Sequence, residues 1–332
     1  MNIQTRLDNG KRQELGEKLP LDTPYVLLIE PSSLCNMRCK WCPTGYDDLI
    51  KQNSVKPTIM KLEDYKKVID DVHEFGEKIR VLRLYKNGEP LINPNFDQMV
   101  KYAKDSGNFL RIDTTTNGML LEPELNRKII SAGIDQINIS VNGMSAEQIC
   151  KNTGRKIDFS KFVENIKDLY RCKEQCTIYI KCIQDILTKE EQQQFYDLFG
   201  EISDRIFLER LSPAWPAFDV SKSGYYYDNI GNYNQPIENR QVCPYIFYIM
   251  VVNADGTVSS CVGDWPHKQI LGNLLEDNVV DVWKNGKLKN MQVNHLKMEK
   301  DLYVLCSNCK VISHGCYDNI DIYAKKILEE LE

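Results

Sequence analysis

The chain has 332 residues and a net charge of −5, with 42% hydrophobic and 27% charged residues. This composition is typical of a folded globular protein, and the length allows one large domain with a smaller one attached. No apolar run approaches the roughly 20 residues of a membrane helix, and the polar first residues are not those of a signal peptide. The acidic balance argues against nucleic acid, because phosphate binding needs a concentrated basic surface. We therefore expect a cytoplasmic protein with neither a membrane nor a nucleic-acid partner.

Apolar, β-branched runs alternate with amphipathic helical stretches through the first two thirds of the chain. This alternation predicts parallel strands joined by crossover helices. Six successive βα units close part of a barrel, so the fold class is α/β with a partial (β/α)6 TIM barrel, and chemistry is expected at the carboxyl ends of its strands. The predicted strands span residues 25–30, 81–85, 109–114, 136–140, 177–183 and 205–210.

A turn-rich stretch over residues 213–236 then interrupts the βα rhythm. Beyond it, two short apolar runs flank Asp255-Gly256, which is a strong hairpin signal. The last residues, 318–332, have the pattern of a terminal helix. We expect a small C-terminal α+β domain after the barrel.

Three cysteines follow the first predicted strand in a CxxxCxxC spacing: Cys35, Cys39 and Cys42. Three thiolates leave one iron of a [4Fe-4S] cluster open to another ligand. The chain has 12 cysteines, and in a reducing compartment this clustering favours metal over disulfides. Structural zinc or chance spacing is the alternative, although zinc sites usually pair two knuckles and no second knuckle follows closely.

This spacing, its place after the first strand and Trp41 before the last cysteine resemble the radical S-adenosylmethionine (SAM) superfamily. The resemblance implies that the open iron chelates the amino and carboxylate groups of SAM. It further implies that an electron from the cluster cleaves SAM to a 5′-deoxyadenosyl radical. The expected domains are an N-terminal extension over residues 1–22 and a radical SAM core over residues 23–232.

After the second strand, Asn87-Gly88-Glu89-Pro90 resembles the family's GGEP motif, with Asn87 in place of the first glycine. In the family this motif holds the ammonium group of SAM. Gly88 is therefore expected to allow close backbone approach, and Glu89 to offer a carboxylate to that charge. Without its position one βα unit after the cysteine loop, the tetrapeptide would indicate only a turn.

Polar residues at later strand ends complete the expected SAM site. Asn117 follows the third strand and Ser140 ends the fourth, where side chains of this kind can bind a ribose or a carboxylate. Asn142 stands where relatives commonly have an aspartate, so the role of that position is open. Arg155 lies where many relatives direct a basic residue towards the SAM carboxylate, and a solvated surface arginine is the alternative.

A second cysteine set lies in the C-terminal region and comprises Cys243, Cys261, Cys306 and Cys309. The pattern C-x12-G-x4-C followed by CxxC resembles the SPASM domain and its shortened "twitch" form, expected here over residues 233–332. The resemblance implies one auxiliary [4Fe-4S] cluster, because only Cys316 follows. Four cysteines with a CxxC knuckle also form a structural zinc signature, and this alternative stays open.

The remaining cysteines are expected to be small buried residues. Cys182, on the fifth strand, is a candidate hydrogen donor to a substrate radical if it points into the barrel. The histidines stand apart in sequence and are expected to be surface or structural: His73, His267, His295 and His314. The other cysteines without an assigned role are Cys150, Cys172, Cys176 and Cys316.

The expected cofactors are two [4Fe-4S] clusters and SAM. An auxiliary cluster can accept an electron from a substrate radical, which favours a dehydrogenase similar to the deoxy-scyllo-inosamine dehydrogenase-like oxidoreductases. Its expected partners are a polar small-molecule substrate, such as a sugar or cyclitol, and a reductant such as flavodoxin or ferredoxin. A peptide-modifying maturase or an epimerase is the alternative reaction, and a non-catalytic iron-sulfur or zinc module is the alternative without catalysis.

Overall fold

The computed structural model describes residues 1–6, 13–315 and 318–332. Nine strands of the described chain form one sheet in the order β6-β5-β4-β3-β2-β1-β7-β8-β9. The strands are β1 Val26–Ile29, β2 Ile79–Leu84, β3 Phe109–Thr116, β4 Gln136–Val141, β5 Thr177–Ile183, β6 Arg205–Glu209, β7 Ile249–Val252, β8 Thr257–Ser259 and β9 Ile270–Asn273. All six predicted barrel strands are confirmed to within about two residues at their ends.

Helices follow the barrel strands and cover the outer face of the sheet. The helices are α1 Asp47–Gln52, α2 Leu62–Asp71, α3 Phe96–Ser106, α4 Pro123–Ser131, α5 Ala146–Thr153, α6 Phe159–Arg171, α7 Lys189–Phe199, α8 Tyr245–Tyr248, α9 Val279–Trp283, α10 Gly286–Leu296, α11 Val311–His314 and α12 Ala324–Leu331. Among the helices of the described part of the chain, none has the length and apolarity that a membrane crossing requires.

Local sequence explains how these helices begin and which face they bury. Helix α7 starts with a capping box, in which the Thr188 side chain accepts from Glu191 N and the Glu191 carboxylate accepts from Thr188 N. Helix α6 buries Phe162, Ile166 and Leu169, which lie three or four residues apart and so share one face. This face packs into the main hydrophobic core between sheet and helices.

Strands β1 to β6 are parallel, and their carboxyl ends lie together. Ile29 pairs with Leu84 at the ends of β1 and β2, and Val141 pairs with Cys182 near the ends of β4 and β5. The loops that follow these strands therefore meet at one edge of the sheet. This edge carries the cysteine loop together with Gly88, Glu89, Asn117 and Ser140.

The C-terminal region continues the barrel sheet. Strand β7 pairs in parallel with β1, placing Ile249 beside Val26 and Val252 beside Ile29. Strand β8 then turns back antiparallel to β7, so the predicted hairpin at Asp255-Gly256 is confirmed. Gly256 has φ +83°, a left-handed conformation that glycine adopts without strain. The sequence did not predict β9 or the pairing of β7 with β1.

The first residues of the chain extend the opposite edge of the sheet. Ile206 N donates to Asn2 O at 3.0 Å, and Gln4 N donates to Ile206 O at 3.2 Å, so this segment pairs with β6. The Arg6 guanidinium lies 5.7 Å from the centre of the Tyr85 ring. The segment expected only as an N-terminal extension therefore contacts the barrel.

Candidate active site

The loop after β1 carries Cys35, Cys39 and Cys42 and is held by main-chain hydrogen bonds to α5. Arg38 N donates to Thr153 O at 2.7 Å, and Lys40 N donates to Asn152 O at 3.1 Å. Within the loop, Cys42 N donates to Cys39 O at 3.1 Å. These bonds fix a tight turn that brings the three cysteines to the same end of the barrel.

The three thiols are desolvated and influence one another. Burial raises the pKa of Cys35 to about 11 and also raises the pKa values of Cys39 and Cys42. After burial, the neighbouring thiols of Cys42 and Cys35 add to the raised pKa of Cys39. Because low-dielectric surroundings disfavour thiolates, a positive centre is needed to hold all three deprotonated, as cluster iron does.

Each described cysteine is a thiol rather than half of a disulfide. Within the described ranges, no three Cys, His, Asp or Glu side chains form a group that could hold a single metal ion. The fit of a cluster here rests on donor chemistry: three sulfurs on one loop match a cluster in which each thiolate binds its own iron.

Gly88 lies in the loop after β2 and packs against the backbone of the cysteine loop. A Cβ atom at Gly88 would lie 2.3 Å from Ser32 O and 2.4 Å from Leu34 O. The next residue continues this contact, since Glu89 N donates to Leu34 O at 2.8 Å. Glycine is therefore needed here because two loops of the site touch main chain to main chain.

The Glu89 carboxylate is buried at the same end of the barrel. It accepts from Leu91 N at 3.1 Å, from Thr116 Oγ1 at 2.6 Å and from Asn117 N at 2.8 Å. Burial raises the pKa of Glu89 to about 7, although these hydrogen bonds oppose the shift. None of the three donors carries a charge, so a cationic ligand would favour the ionised form strongly.

Asn117 ties the end of β3 to the cysteine loop. Its Nδ2 donates to Asn36 Oδ1 at 2.7 Å, and its Oδ1 accepts from Met119 N at 3.0 Å. Asn36, directly after Cys35, has a buried Nδ2 with no hydrogen-bond partner in the described chain. Sequence reasoning missed Asn36 because an asparagine between cysteines carries no signal beyond that of a turn.

Ser140 lines a cavity of about 190 Å³ at the barrel mouth, beside Trp41 of the cysteine loop. Lys181 of β5 and Glu209 of β6 also line this cavity and form an ion pair at 2.7 Å. Tyr179 donates its hydroxyl to Glu209 Oε1 at 3.2 Å. The sequence-based predictions missed Lys181 and Glu209. Their signal was a charged residue near the end of an otherwise apolar strand.

Two further candidates lie at the margins of this site. Arg155 follows α5 and is exposed, close to the segment that binds the cysteine loop. Cys182 packs with Ile178 and Ile180 in the core beneath the helices, and it also lines the cavity beside Trp41 and Ser140. Its role as hydrogen donor to a substrate radical stays a prediction.

The second cysteine set is brought together from separate segments of the chain. Cys243 precedes α8, Cys261 follows β8, and Cys306 and Cys309 lie between α10 and α11, yet all four line one cavity. Burial raises the pKa values of Cys261 and Cys306 to about 12, and the nearby Cys309 thiol adds to both shifts. The four thiols fit a closed cluster with one ligand for each iron.

His295 lines the same cavity and is fully buried. Burial, followed by the nearby charge of Lys300, lowers the pKa of His295 to about 4. The prediction that the histidines are isolated missed this placement. Leu288, Met291 and His295 follow helical spacing, so the buried face of α10 was the signal that could have found it.

Two family models match the segments of the chain that contain the two cysteine sets. Residues 29–189 match the radical SAM superfamily, and residues 243–310 match SPASM, an iron-sulfur cluster-binding domain. The protein has a radical SAM domain and a SPASM domain. Together these domains imply two [4Fe-4S] clusters and SAM as cofactors.

The relatives of this chain include an AdoMet-dependent heme synthase, a GTP 3′,8-cyclase and a tungsten-containing aldehyde ferredoxin oxidoreductase cofactor-modifying protein. The AdoMet-dependent heme synthase of Methanosarcina barkeri is 31% identical over 38% of this chain and 33% of its own length. The chain spans 33% to 52% of the length of this relative and two others. The identity of the substrate therefore does not follow from these relatives.

Two solved structures share the fold along most of the chain. BtrN in complex with AdoMet and 2-DOIA has a TM-score of 0.57 at 20% identity, covering 90% of this chain and 97% of BtrN. Streptococcus suis SuiB bound to the precursor peptide SuiA has a TM-score of 0.61 at 14% identity, covering 91% of this chain and 74% of SuiB. At these identities the likeness shows the fold alone.

A buried polar network joins the radical SAM and SPASM domains. Lys86, directly before the Asn87-Gly88-Glu89 segment, donates to Asn253 Oδ1 and, at 3.1 Å, to Asp264 O. Glu30, at the end of β1, accepts from Asn87 N at 2.9 Å and from Ala254 N at 3.3 Å. The SPASM hairpin is therefore hydrogen-bonded to the loops that surround the first site.

Cys316, which was left without an assigned role, lies outside the described residues.

Proposed function

We propose that this protein is a radical SAM oxidoreductase that oxidises a carbinol carbon of a polar small molecule, such as a sugar or cyclitol, to a carbonyl. When bound, SAM and its cluster supply a 5′-deoxyadenosyl radical that removes hydrogen, and the auxiliary cluster supplies an electron acceptor. Reducing equivalents would come from a partner such as flavodoxin or ferredoxin, in a cytoplasmic setting.

The observation that carries this proposal is the cavity of about 190 Å³ beside Trp41, whose lining combines apolar side chains with the charged Lys181 and Glu209. Its size suits a small metabolite better than a folded peptide, since pockets for drug-sized ligands span roughly 300–1,000 Å³. Lys181 and Glu209 converge on it from neighbouring strands at the carboxyl end of the barrel. A polyhydroxylated substrate would satisfy these groups with hydroxyls that both donate and accept hydrogen bonds.

The Lys181–Glu209 pair can also take up the proton that the carbinol hydroxyl loses. Oxidation of a carbinol removes the carbon-bound hydrogen atom, one electron and the hydroxyl proton, and these losses give the carbonyl group. The Glu209 carboxylate can accept the hydroxyl proton, while the Lys181 ammonium can donate a hydrogen bond to the oxygen that becomes the carbonyl. We infer that this pair orients the carbinol and takes up its proton.

The site residues have matching proposed roles. Cys35, Cys39 and Cys42 hold the SAM cluster, and Glu89 faces the ammonium group of SAM, with Gly88 setting the loop contact. Asn117, Ser140 and Arg155 are proposed to contact the rest of SAM. The auxiliary cluster is held by Cys243, Cys261, Cys306 and Cys309.

The test uses anaerobically purified, reduced protein with SAM and a panel of cyclitols and sugars deuterated at each carbinol carbon. We expect deuterium to enter 5′-deoxyadenosine, with formation of one ketone for each 5′-deoxyadenosine released. Cys39→Ala should abolish both products. A panel that yields ketone without deuterium transfer would refute radical oxidation.

A double variant tests the electron acceptor separately. Replacing Cys306 and Cys309 by alanine should spare SAM cleavage and stop ketone formation, because the electron has no acceptor. Cys172→Ala is the matched control, since this half-buried thiol lies far along the chain from either set. Ketone formation that persists in the double variant contradicts the proposed acceptor.

Peptide modification is the second candidate, favoured by the structural likeness to SuiB, which was solved with a precursor peptide. Adding peptides to the same assay distinguishes the two candidates. Deuterium transfer from a peptide Cα or side chain, with none from any carbinol, would replace the dehydrogenase proposal by a maturase or epimerase.

A further inference from the structure

His295 has a fixed orientation inside the four-cysteine cavity. It lies on α10, is 0% exposed and lines the cavity together with Cys243, Cys261, Cys306 and Cys309. Its ring stacks on Tyr303, with centroids 5.9 Å apart and planes 28° apart. Tyr303 is itself held by Asn294 Nδ2, which donates to its hydroxyl at 3.0 Å. The imidazole is therefore held by packing on one side and faces the thiols on another.

A main-chain hydrogen bond determines which ring nitrogen carries the proton. Cys243 N donates to His295 Nδ1 at 3.3 Å. A nitrogen that accepts a hydrogen bond cannot also carry a proton, so the ring is the neutral tautomer with its proton on Nε2. This bond also attaches the ring to the backbone of a cluster ligand.

The Nε2–H group has no partner within the described chain. A buried donor left without an acceptor costs about 1–3 kcal/mol, so such groups are rare unless a ligand completes them. The cavity that His295 lines contains four sulfur atoms and receives the cluster. Sulfur atoms of a cluster accept N–H hydrogen bonds, and these bonds tune its potential.

We propose that His295 donates its Nε2–H to a sulfur of the auxiliary cluster and thereby raises the cluster's reduction potential. The donated hydrogen bond stabilises the more negative, reduced state over the oxidised state, because it offsets the added charge. His295 is thus a positioning residue that makes the auxiliary cluster a better electron acceptor. Its role in turnover rests on the proposed function, but its effect on the potential does not.

Other donors near these thiols do not replace this bond. Gly263 N donates to Cys261 Sγ at 3.3 Å, and Gln269 Nε2 approaches Cys306 Sγ at 3.9 Å. Both are directed at ligand thiols that they already reach. Among the side chains that line the described cavity, only His295 has a buried nitrogen donor without a partner.

The test is a redox titration of the intact two-cluster protein, without substrate, followed by electron paramagnetic resonance. His295→Asn keeps an acceptor near the Nδ1 position and removes the Nε2–H donor. We expect at least a tenfold fall in the ratio of reduced to oxidised auxiliary cluster at a given potential, equivalent to about 59 mV for one electron. His295→Gln, which can place an amide N–H near the Nε2 position, should restore most of the potential. The SAM cluster should not shift in either variant.

A second measurement needs no substitution at the cluster. Wild-type protein labelled with ¹⁵N-histidine should show a ¹⁵N hyperfine coupling in the signal of the reduced auxiliary cluster. His267→Asn is the matched histidine control and should keep this coupling. An unchanged potential in His295→Asn at full iron content, or the absence of a ¹⁵N coupling in the wild type, would overturn the proposal. Both readouts are independent of ketone formation, so failure of the proposed oxidation would not be mistaken for failure here.

Discussion

Replacing Glu89 by glutamine tests whether this buried carboxyl is held ready for a cation. Burial raises its pKa from 4.5 to about 7, so the folded protein binds this proton more tightly than the unfolded chain between those pH values. The unfolding free energy contributed by Glu89 therefore falls as pH rises from 4.5 to 7, and the loss is complete above about pH 7. Since each pH unit corresponds to 1.36 kcal/mol, ionised Glu89 costs about 3 kcal/mol without SAM.

Difference infrared spectroscopy measures this proton directly in SAM-free protein. At pH 6 the wild type should show a protonated carboxyl band that Glu89→Gln lacks, and the band should titrate near pH 7. Adding SAM at pH 6 should remove the band, because the ammonium group favours the carboxylate. Glu147→Gln, at an exposed glutamate on α5, is the control and should leave the band in place.

Urea unfolding measures how the ionisation of Glu89 changes the free energy of unfolding. The difference in unfolding free energy between wild type and Glu89→Gln should change by about 2.5 kcal/mol between pH 5 and pH 8, with the wild type losing stability as pH rises. A difference that stays constant over this range would show that Glu89 ionises as an ordinary carboxyl. A band that persists with SAM bound would refute the proposed contact with the ammonium.

Three other substitutions test contacts of the site. Gly88→Ala should reduce stability by about 1–3 kcal/mol and lower the iron content of the SAM cluster, because the new Cβ would meet backbone oxygens. Gly286→Ala is the control and should do neither, because a Cβ there has open space. Calorimetry and iron analysis measure the two effects. Lys86→Met removes the donor to Asn253 Oδ1 and Asp264 O in a buried network and should lower the unfolding free energy by about 1–3 kcal/mol. Lys101→Met, in an exposed helical ion pair, should change it by under about 0.5 kcal/mol. Equal losses for both lysines in urea titrations would contradict the role of the buried network. Lys181→Met should keep SAM cleavage but lower the yield of ketone per 5′-deoxyadenosine at least tenfold, and an unchanged ratio by mass spectrometry would remove Lys181 from the substrate site.

The strands of the barrel and the nature of both cysteine sites could be predicted from the sequence. Strands β1 to β6 have apolar, β-branched runs whose pattern is local, and Cys35, Cys39 and Cys42 lie within one turn-sized segment. The hairpin at Asp255-Gly256 was equally visible, because the turn residues stand next to the strands they join. These features depend on neighbours along the chain, which a sequence displays directly.

Strand β9 shows where this reasoning fails. Gly272 and Asn273 interrupt its apolar character, and all four of its residues are only half-buried. Its pairing with β8 supplies the hydrogen bonds that make it a strand. The parallel pairing of β7 with β1 was likewise hidden, because it joins segments more than 200 residues apart.

The amino-acid sequence by itself determined the order of the βα units and the thiols available to bind iron, since periodicity and spacing are written in short segments. Only the tertiary structure decided which distant groups share one environment. It placed His295 among four cysteines, paired Lys181 with Glu209 at the barrel mouth, and buried Glu89 so that its pKa rises to about 7. The physical reason is that desolvation and hydrogen bonding depend on what packs around a group, and those neighbours come from every part of the chain.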